Sequence, residues 1–492
     1  MTRNSRKEFK VLFVSGCEGD TQRYRCLHPQ EQLELNRVHS TIKFLTDFHV
    51  LSDVLDYDIF ILHRVPYNDV IGDLLELIYK LGKVAIFDID DLLFEPGLVQ
   101  YIALFDSMSP EEAFQFRQTI NGYSETLERC EYVLTPTEFL AEMARKREKK
   151  AFVNRNSLSN ELIQISQHAY ALARTQRLSE KQGNKGTDKN AAPVVIGYFS
   201  GTGSHNKDFL EVTDALVQVM GKYTNVELHI GGHLLLSEKF ANLQDRIKGT
   251  PYLSWRELPY VMSTVNINLA PLELDNPFCR GKSELKYVEA GIVGVPTIAS
   301  RIDAYEFAIT HGVNGLLASN TAEWIESLEL LMNDEKRRVD IGERAREDIH
   351  KNYIPEVRGR ELLATLEQIQ REEANRLPRL RAATRVDENP QRLVITCLQK
   401  HLTQQGKIIE AKEAQLAGQR ELIRERDRQL TEQRKKLAEH KRVLQERDKE
   451  LAEHKRVLQE RDKQIAELEE RLRLLEDNRR NELASILSKL RE

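Results

Sequence analysis

The stretch CRGKSELKYVEAGIVGVPTIAS, residues 279–300, sets the terms for the rest of the chain. It gathers Arg280, Lys282 and Lys286 with Glu284 and Glu289, just ahead of an apolar run, VPTIAS, that reads as a buried strand. With Ser283 as the capping residue, a helix starts here whose Leu285, Val288 and Ile292 form one stripe against a sheet. Lys282, Lys286 and Glu289 fall on a second stripe, displaced by about 100°. A helix start carries free N–H donors and partial positive charge, and Arg280 and Lys282 add to it, which suits a diphosphate. Glu289 is then placed to accept hydrogen bonds from a ribose diol. The plain alternative is a surface helix with an ordinary i,i+3 Lys–Glu pair.

Working outward, VVIGYFSG, VELHIGG, YLSW, VNINLAPL, VPTIAS and NGLLA read as strands. DFLEVTDALVQVM, SELKYVEAG and TAEWIESLELLMND read as the helices between them, the last with Trp324, Ile325, Leu328 and Leu331 on one face. The N-terminal third repeats the alternation. VLFVSG, IFILHRV, VAIFDID and YVLTPT are apolar on both faces, and EQLELNRV, DLLELIYKLG and SETLERC have helical spacing. Strand and helix alternating in this way predict doubly wound α/β layers. Residues 174–193, RTQRLSEKQGNKGTDKNAAP, are polar without an apolar period and read as an exposed linker or insertion.

At 492 residues the chain is too long for one core. Its 72 basic and 77 acidic residues leave a formal charge of −5, so nothing global favours nucleic acid or anionic lipid. Five scattered cysteines without CxxC spacing argue for a reduced protein with neither a disulfide framework nor a zinc knuckle. The N-terminal apolar run KVLFVSG suits a first strand better than a signal peptide, and no segment approaches the roughly 18 apolar residues of a membrane span. The expected location is cytoplasmic, with peripheral attachment to the inner face of a membrane as a variant.

Beyond about residue 380 apolar residues recur every seven positions, from Ile395, Leu402 and Ile409 to Leu458, Ile465 and Leu472. LAEHKRVLQERDKE at 437–450 returns almost unchanged at 451–464. Such a seam predicts a coiled coil. Its companion core positions are polar, however: Gln405, Lys412, Gln419, Arg426, Gln433, His440, Arg447, His454 and Arg461. A loose oligomer is the reading, with a solvated spacer helix as the alternative.

The string YVEAGIVGVPTIAS followed by AITHGVNGLLA resembles the donor-binding core of retaining nucleotide-sugar glycosyltransferases with the GT-B fold. The likeness rests on Glu289, Ala290, Gly294 and Pro296, then Gly312, Asn314, Gly315, Leu316 and Leu317. IGYFSGTGSHNKDF resembles the first strand and glycine loop of that donor domain, and YLSWRELPYVMSTVNINLAPL its later helix and strand. The resemblance spans roughly 194–370 and is looser over 9–170. It implies that Glu289 is the second Glu of a Glu-x7-Glu pair and holds the donor's ribose. The first Glu is replaced by Gly281, with Glu273, Asp275 or Asn276 as possible substitutes. The diphosphate then falls to Arg280, Lys282, Lys286 and Lys207, with Ser283 at the helix start and the backbone of Gly201, Thr202 and Gly203 alongside. No metal and no other cofactor is implied beyond the nucleotide diphosphate sugar itself.

In FDIDDLLFEP, Asp88, Asp90 and Asp91 stand at the C-terminal end of a strand, where α/β crevices bind ligands. A metal-binding Asp-x-Asp, a phosphatase Asp-x-Asp and an acceptor-side catalytic or orienting cluster compete, beside plain helix capping. The acceptor cleft is the favoured reading. Arg23, Tyr24 and Arg25 follow the first strand, and His63 and Arg64 end another at the same edge, so these are further cleft candidates. Thr135, Thr137 and Asn156 read as architectural.

The expected protein is therefore α/β, GT-B, with two Rossmann-like doubly wound domains facing a cleft and a long C-terminal α-helical coiled coil. The boundaries are an acceptor domain at 1–173, the linker at 174–193, a donor domain at 194–375, a second linker at 376–394 and the coil at 395–492. The expected function is transfer of a hexose or deoxyhexose from a nucleotide diphosphate sugar to a glycan or lipid-linked acceptor in cell-surface polysaccharide synthesis. The rivals are an inactive GT-B scaffold organised by its coil, and a sugar-nucleotide epimerase. The expected partners are the nucleotide sugar, the acceptor and further copies of the chain.

Overall fold

The computed structural model describes residues 9–183, 193–201, 206–383 and 389–489. They fall into two compact units, Met1–His401 and Leu402–Glu492.

The first unit contains two parallel sheets. In chain order the first layer runs β1 (Val11–Ser15), α1 (Asp20–Gln22), a π-helical turn Arg23–Leu27, α2 (His28–Leu35), β2 (Ser40–Phe44), β3 (Ile59–His63), α3 (Asp69–Lys80), β4 (Val84–Asp88), α4 (Pro110–Arg129), β5 (Tyr132–Thr135), α5 (Glu138–Lys146) and β6 (Lys150–Val153), after which α6 (Asn160–Gly183) packs into the core of the second layer. The second runs β7 (Val194–Ser200), α7 (Asn206–Lys222), β8 (Val226–Gly232), β9 (Ile247–Thr250), α8 (Leu258–Met262), β10 (Ile267–Ala270), α9 (Pro277–Arg280), α10 (Leu285–Ile292), β11 (Thr297–Ser300), α11 (Asp303–Ala308), β12 (Leu316–Ala318), α12 (Thr321–Asn333) and α13 (Glu335–Asn352). Then come α14 (Pro355–Ala383) and α15 (Pro390–Lys489).

Strand order is β2-β1-β3-β4-β5-β6 in one sheet and β12-β11-β10-β7-β8-β9 in the other. Each order reverses direction once, between β1 and β3 and between β7 and β10. Crevices at the carboxyl ends of strands flanking such a reversal are where open α/β sheets bind ligands. The central strands are apolar on both faces because helices cover both: β1, β3 and β4 are buried throughout.

Four expectations are corrected. YLSW is not a strand; the edge strand is β9, Ile247–Thr250, immediately before it. Residues 174–183, expected in a linker, continue α6, because no Gly or Pro interrupts the polar run before Gly183. The span 376–394 is helical at both ends, α14 reaching Ala383 and α15 starting at Pro390. Helix α14 also packs with the first sheet, not the second: Leu362, Leu363, Leu366 and Ile369 share a core with Phe9, Val11, Phe13 and Leu33. Tyr132 donates to Glu373 at 3.0 Å on the same seam.

The second unit is the remainder of α15, a single helix whose seam residues are solvent-facing, Leu437, Leu444, Leu451 and Leu458 each more than half exposed. Among the described residues no helix is long and apolar enough to cross a membrane.

Candidate functional site

The site grows from the two strand-order reversals. In the first sheet Ser15 pairs with His63, and His63 with Asp88, so the three strand ends lie abreast. Gly16 follows at once, donating its N–H to the His63 carbonyl at 2.8 Å. A Cβ there would meet the Arg64 carbonyl oxygen at 1.9 Å, so only glycine lets these two loops approach.

In the second sheet β7 ends at Ser200 and Gly201, and α10 lies across the strand ends. Gly294, at φ 72°, turns the chain from α10 back into the sheet. Helix α10 begins at Leu285, and its start is flanked by Glu284, not by a capping Ser283 hydroxyl. Glu284 is buried, accepting from Tyr353 at 3.0 Å and from Arg155 at 3.2 Å. Ser283 Oγ instead accepts from Asn156 Nδ2 at 3.1 Å. Val288 and Ile292 are buried as expected, whereas Leu285 faces a cavity.

Two cavities meet at Glu289. The first, about 130 Å³, has Ser200, Gly201 and Gly231 on its floor, Tyr252, Trp255 and Leu258 as a wall, and Lys286 and Glu289 from α10. Asp20 and Arg23 of the first layer close it. The second, about 230 Å³, lies between Thr21, Tyr24, Asp90 and Asp91 of the first layer and Lys282, Ser283, Lys286 and Glu289 of the second.

Glu289 accepts the Tyr24 hydroxyl at 2.6 Å. Burial raises the pKa of its carboxyl, against the pull of Tyr24, Arg23 and Lys286. Burial likewise lowers that of Lys286, whose ammonium donates to the Phe199 carbonyl and sits 5.0 Å from the Tyr198 ring centre. Lys282 donates to Asp91 at 2.9 Å; burial opposes its charge, but Asp91 raises its pKa. Arg64 forks between Asp90 and Asp91, each at 2.5 Å, from a left-handed backbone at φ 46°.

Arg23 is buried and clamped by Asp20, at 3.3 Å from Nε and 3.0 Å from Nη2, while its Nη1 has no hydrogen-bond partner among the described residues. The guanidinium lies 4.3 Å from the Tyr24 ring centre and 5.2 Å from that of Trp255. Asp20 also accepts from Tyr252 at 3.1 Å.

Other expected residues go elsewhere. Arg280 makes a two-pronged pair with Asp303, 2.9 Å on each arm, over the Phe139 ring, and lines neither cavity. Its position at the end of α9 turns it outward. Asn276 is consumed by the chain: its Oδ1 caps α9 and its Nδ2 donates to Tyr101 and Glu273. Lys207 is exposed on the first turn of α7, and Asp275 is exposed. Thr202 and Gly203 lie outside the described residues. Arg25, His63 and Asp88 are buried beneath the cleft, not in it. Asp20, Tyr252 and Trp255 belong to the site and were missed; an aromatic pair just after an edge strand was the available signal. Asn156, read as architectural, joins Arg25 at 3.1 Å to Ser283.

Among the described residues Asp208, Glu273 and Cys279 lie close enough to hold one cation. The Cys279 thiol donates to Asp208 at 3.2 Å, and burial and Asp208 raise its pKa, which keeps it protonated and a poor ligand.

Residues 181–348 match the family described as Glycosyl transferases group 1. No curated protein matches the chain significantly. Among solved structures, Anabaena Alr3699/HepE in complex with UDP is similar over 73% of this chain and 100% of its own, at 15% identity and a TM-score of 0.50. Sucrose-phosphate synthase from Thermosynechococcus elongatus is similar over 74% of this chain and 99% of its own, at 14% identity and a TM-score of 0.49. The fold is that of GT-B proteins, and the family match supports a glycosyltransferase.

Proposed function

We propose that this chain transfers a hexose or deoxyhexose from a nucleotide diphosphate sugar to a glycan or lipid-linked acceptor, with retention of anomeric configuration. The observation that carries the reading is the placement of Glu289 and Lys286 where the two cavities join. The aromatic wall of Tyr252 and Trp255 takes the nucleoside, Glu289 its ribose, and Lys286 with Lys282 the diphosphate. The similar Anabaena protein is described with UDP and with UDP-glucose bound, in line with this donor class.

Catalysis by such a site needs no dedicated nucleophile and no metal. Cations fixed beside the departing diphosphate, together with the start of α10, stabilise the charge that develops on it. Holding donor and acceptor in one cleft contributes the rest. The second cavity, with Asp90 and Asp91, is the acceptor side, where a carboxylate orients or deprotonates the incoming hydroxyl. With Gly281 in place of a first glutamate, sugar contacts fall to this side too. The seam of α15 supports association between copies, the role in cell-surface polysaccharide synthesis rests on the sequence resemblance, and the cytoplasmic location on the cysteine pattern.

The test is a thermal-shift panel of UDP, GDP, dTDP and their sugars on the full chain, with Glu289→Gln and Lys286→Met in parallel. A ligand at 100 times its Kd adds about 2.7 kcal/mol to native stability. Stabilisation by one nucleotide family, clearly reduced in both variants, is expected. Silence across the panel at millimolar concentration would overturn the reading in favour of a scaffold.

A further inference from the structure

Beneath the acceptor side of the cleft, side chains from the ends of three adjacent strands stand in line. Cys17 Sγ lies 3.7 Å from His63 Nε2, and His63 Nδ1 lies 2.9 Å from Asp88 Oδ1. Asp88 is held on its far side by Arg25, at 3.0 Å from Nε and 2.5 Å from Nη2, and Arg25 is anchored in turn by Asn154 and Asn156. Thr21 Oγ1 sits 3.1 Å from the same sulfur. His63, Asp88 and Arg25 are buried, whereas Cys17 is partly exposed and its neighbour Thr21 lines the second cavity.

We propose that Cys17 is a covalent modification site, a thiolate generated by His63 that takes small electrophiles, peroxides foremost, reaching it from the cleft. The carboxylate of Asp88 can only accept, so it fixes a proton on His63 Nδ1 and turns Nε2 toward the sulfur. The thiol proton passes to Nε2, leaving imidazolium beside thiolate, the arrangement that activates nucleophilic cysteines. Burial opposes the His63 charge, but Asp88 and Cys17 together lift its pKa to about 9. Burial opposes the thiolate as well, yet His63, Thr21 and Arg64 outweigh it, so the thiol titrates below its ordinary value. The other groups within electrostatic reach are Tyr123 from α4, Cys26 from the π-helical turn, and Asp90, which acts on His63. Burial raises the pKa of both Tyr123 and Cys26, so neither adds charge at neutral pH.

The remaining cysteines supply internal controls. Cys26, Cys130 and Cys279 are buried, and Cys397 is partly exposed with its thiol pushed up to about 11, by burial and then by Asp73. With hydrogen peroxide the thiolate attacks one oxygen: the S–O bond forms, the O–O bond breaks, hydroxide leaves and the sulfur becomes a sulfenic acid. The sulfur is oxidised by two electrons and the peroxide reduced by two. The new oxygen stands beside Thr21, at the edge of the acceptor-side cavity.

The experiment is iodoacetamide alkylation of the full chain from pH 5 to 9, read cysteine by cysteine by peptide mass spectrometry. At pH 7 an ordinary thiol is only a few per cent ionised, so Cys17 is expected to react about ten times faster than Cys397 or more, with a rate that levels off at a lower pH than that of Cys397. His63→Gln returns Cys17 to an ordinary thiol profile. Thr21→Val, which leaves the buried line intact, slows it several-fold and serves if the His63 variant does not fold. One equivalent of peroxide followed by dimedone labels Cys17 ahead of the other four. A Cys17 rate that climbs with pH like an ordinary thiol, or that stays no faster than Cys397, overturns the proposal.

Discussion

Tyr24, on the π-helical turn of the first layer, donates its hydroxyl to Glu289 of the second at 2.6 Å, joining residues 265 positions apart. If Glu289 serves the donor's ribose, Tyr24 occupies its place and must yield. Replacing Tyr24 by Phe leaves Glu289 buried without that donor, which costs about 1–2 kcal/mol. Ligand hydroxyls would restore it, so the loss should vanish at saturating nucleotide. The expected outcome is a Tyr24→Phe variant with a lower Tm alone, an equal Tm with nucleotide, and a Kd lower by about five- to thirtyfold. Calorimetric titration beside thermal melts checks this, and a raised Kd would show that Tyr24 touches the ligand itself.

Glu289→Gln separates charge from shape. The amide oxygen still accepts from Tyr24, so the fold should hold within about 1 kcal/mol. Hydrogen bonds from ribose to a carboxylate are worth more than those to an amide, by roughly 1.5–3 kcal/mol for the set. Nucleotide affinity should therefore fall about tenfold to a hundredfold, measured by titration calorimetry. In the parent protein binding should also weaken as pH falls, at a higher pH than for an ordinary glutamate, because burial raises the Glu289 pKa.

How far these features were legible follows from what determines each. Strands β1, β3 and β4 announce themselves because both faces are buried, which leaves uninterrupted apolar runs. Strands β2, STIKF, and β6, KAFV, are edge strands with mostly half-exposed side chains, so no apolar period marks them. Glu289 and Lys286 were legible because their spacing along one helix fixes a shared face. Arg280 was not, since its choice of Asp303 over the cleft depends on a partner 23 positions away. The line Cys17–His63–Asp88 comes from register between strands, with separations of 46 and 25 positions that no local pattern encodes.

Arg64 is the keystone of the Asp90–Asp91 side of the cleft. Its guanidinium neutralises Asp90 and Asp91, and Asp91 also holds Lys282 across the cleft. Removing one partner of a buried charge cluster typically costs 3–5 kcal/mol, so Arg64→Ala should lose about that much. Lys282→Ala leaves Asp91 paired with Arg64 and should cost about 1 kcal/mol or less. Urea denaturation of the two variants gives the comparison; equal midpoints would refute the ranking.

The seam of α15 predicts association. Leu437, Leu444, Leu451 and Leu458 are each more than half exposed on the helix as it stands, and pairing with another copy would cover them. Because the companion positions are polar, the association should be weak, dissociating at low micromolar concentration. Light scattering on the full chain across concentrations tests this. Leu444→Lys with Leu451→Lys should give a monomer throughout, with nucleotide binding unchanged.

His28 should shape the acid limb of stability. It is buried on α2, with Nδ1 2.7 Å from the Ser157 carbonyl, so that nitrogen is the donor. Burial, then the charge of Arg23, lowers its pKa from 6.5 to about 4. The folded state thus binds fewer protons than the unfolded one between these values. The stability this contributes is complete above pH 6.5 and is lost as pH falls toward 4, about 3 kcal/mol in all. In His28→Asn the side-chain amide can donate to the same carbonyl and does not titrate. The variant's urea midpoint should therefore change less between pH 7 and 4, the parent's fall being steeper by up to one proton. Parallel curves for the two proteins would mean that His28 is already charged in the fold or plays no part in its acid sensitivity.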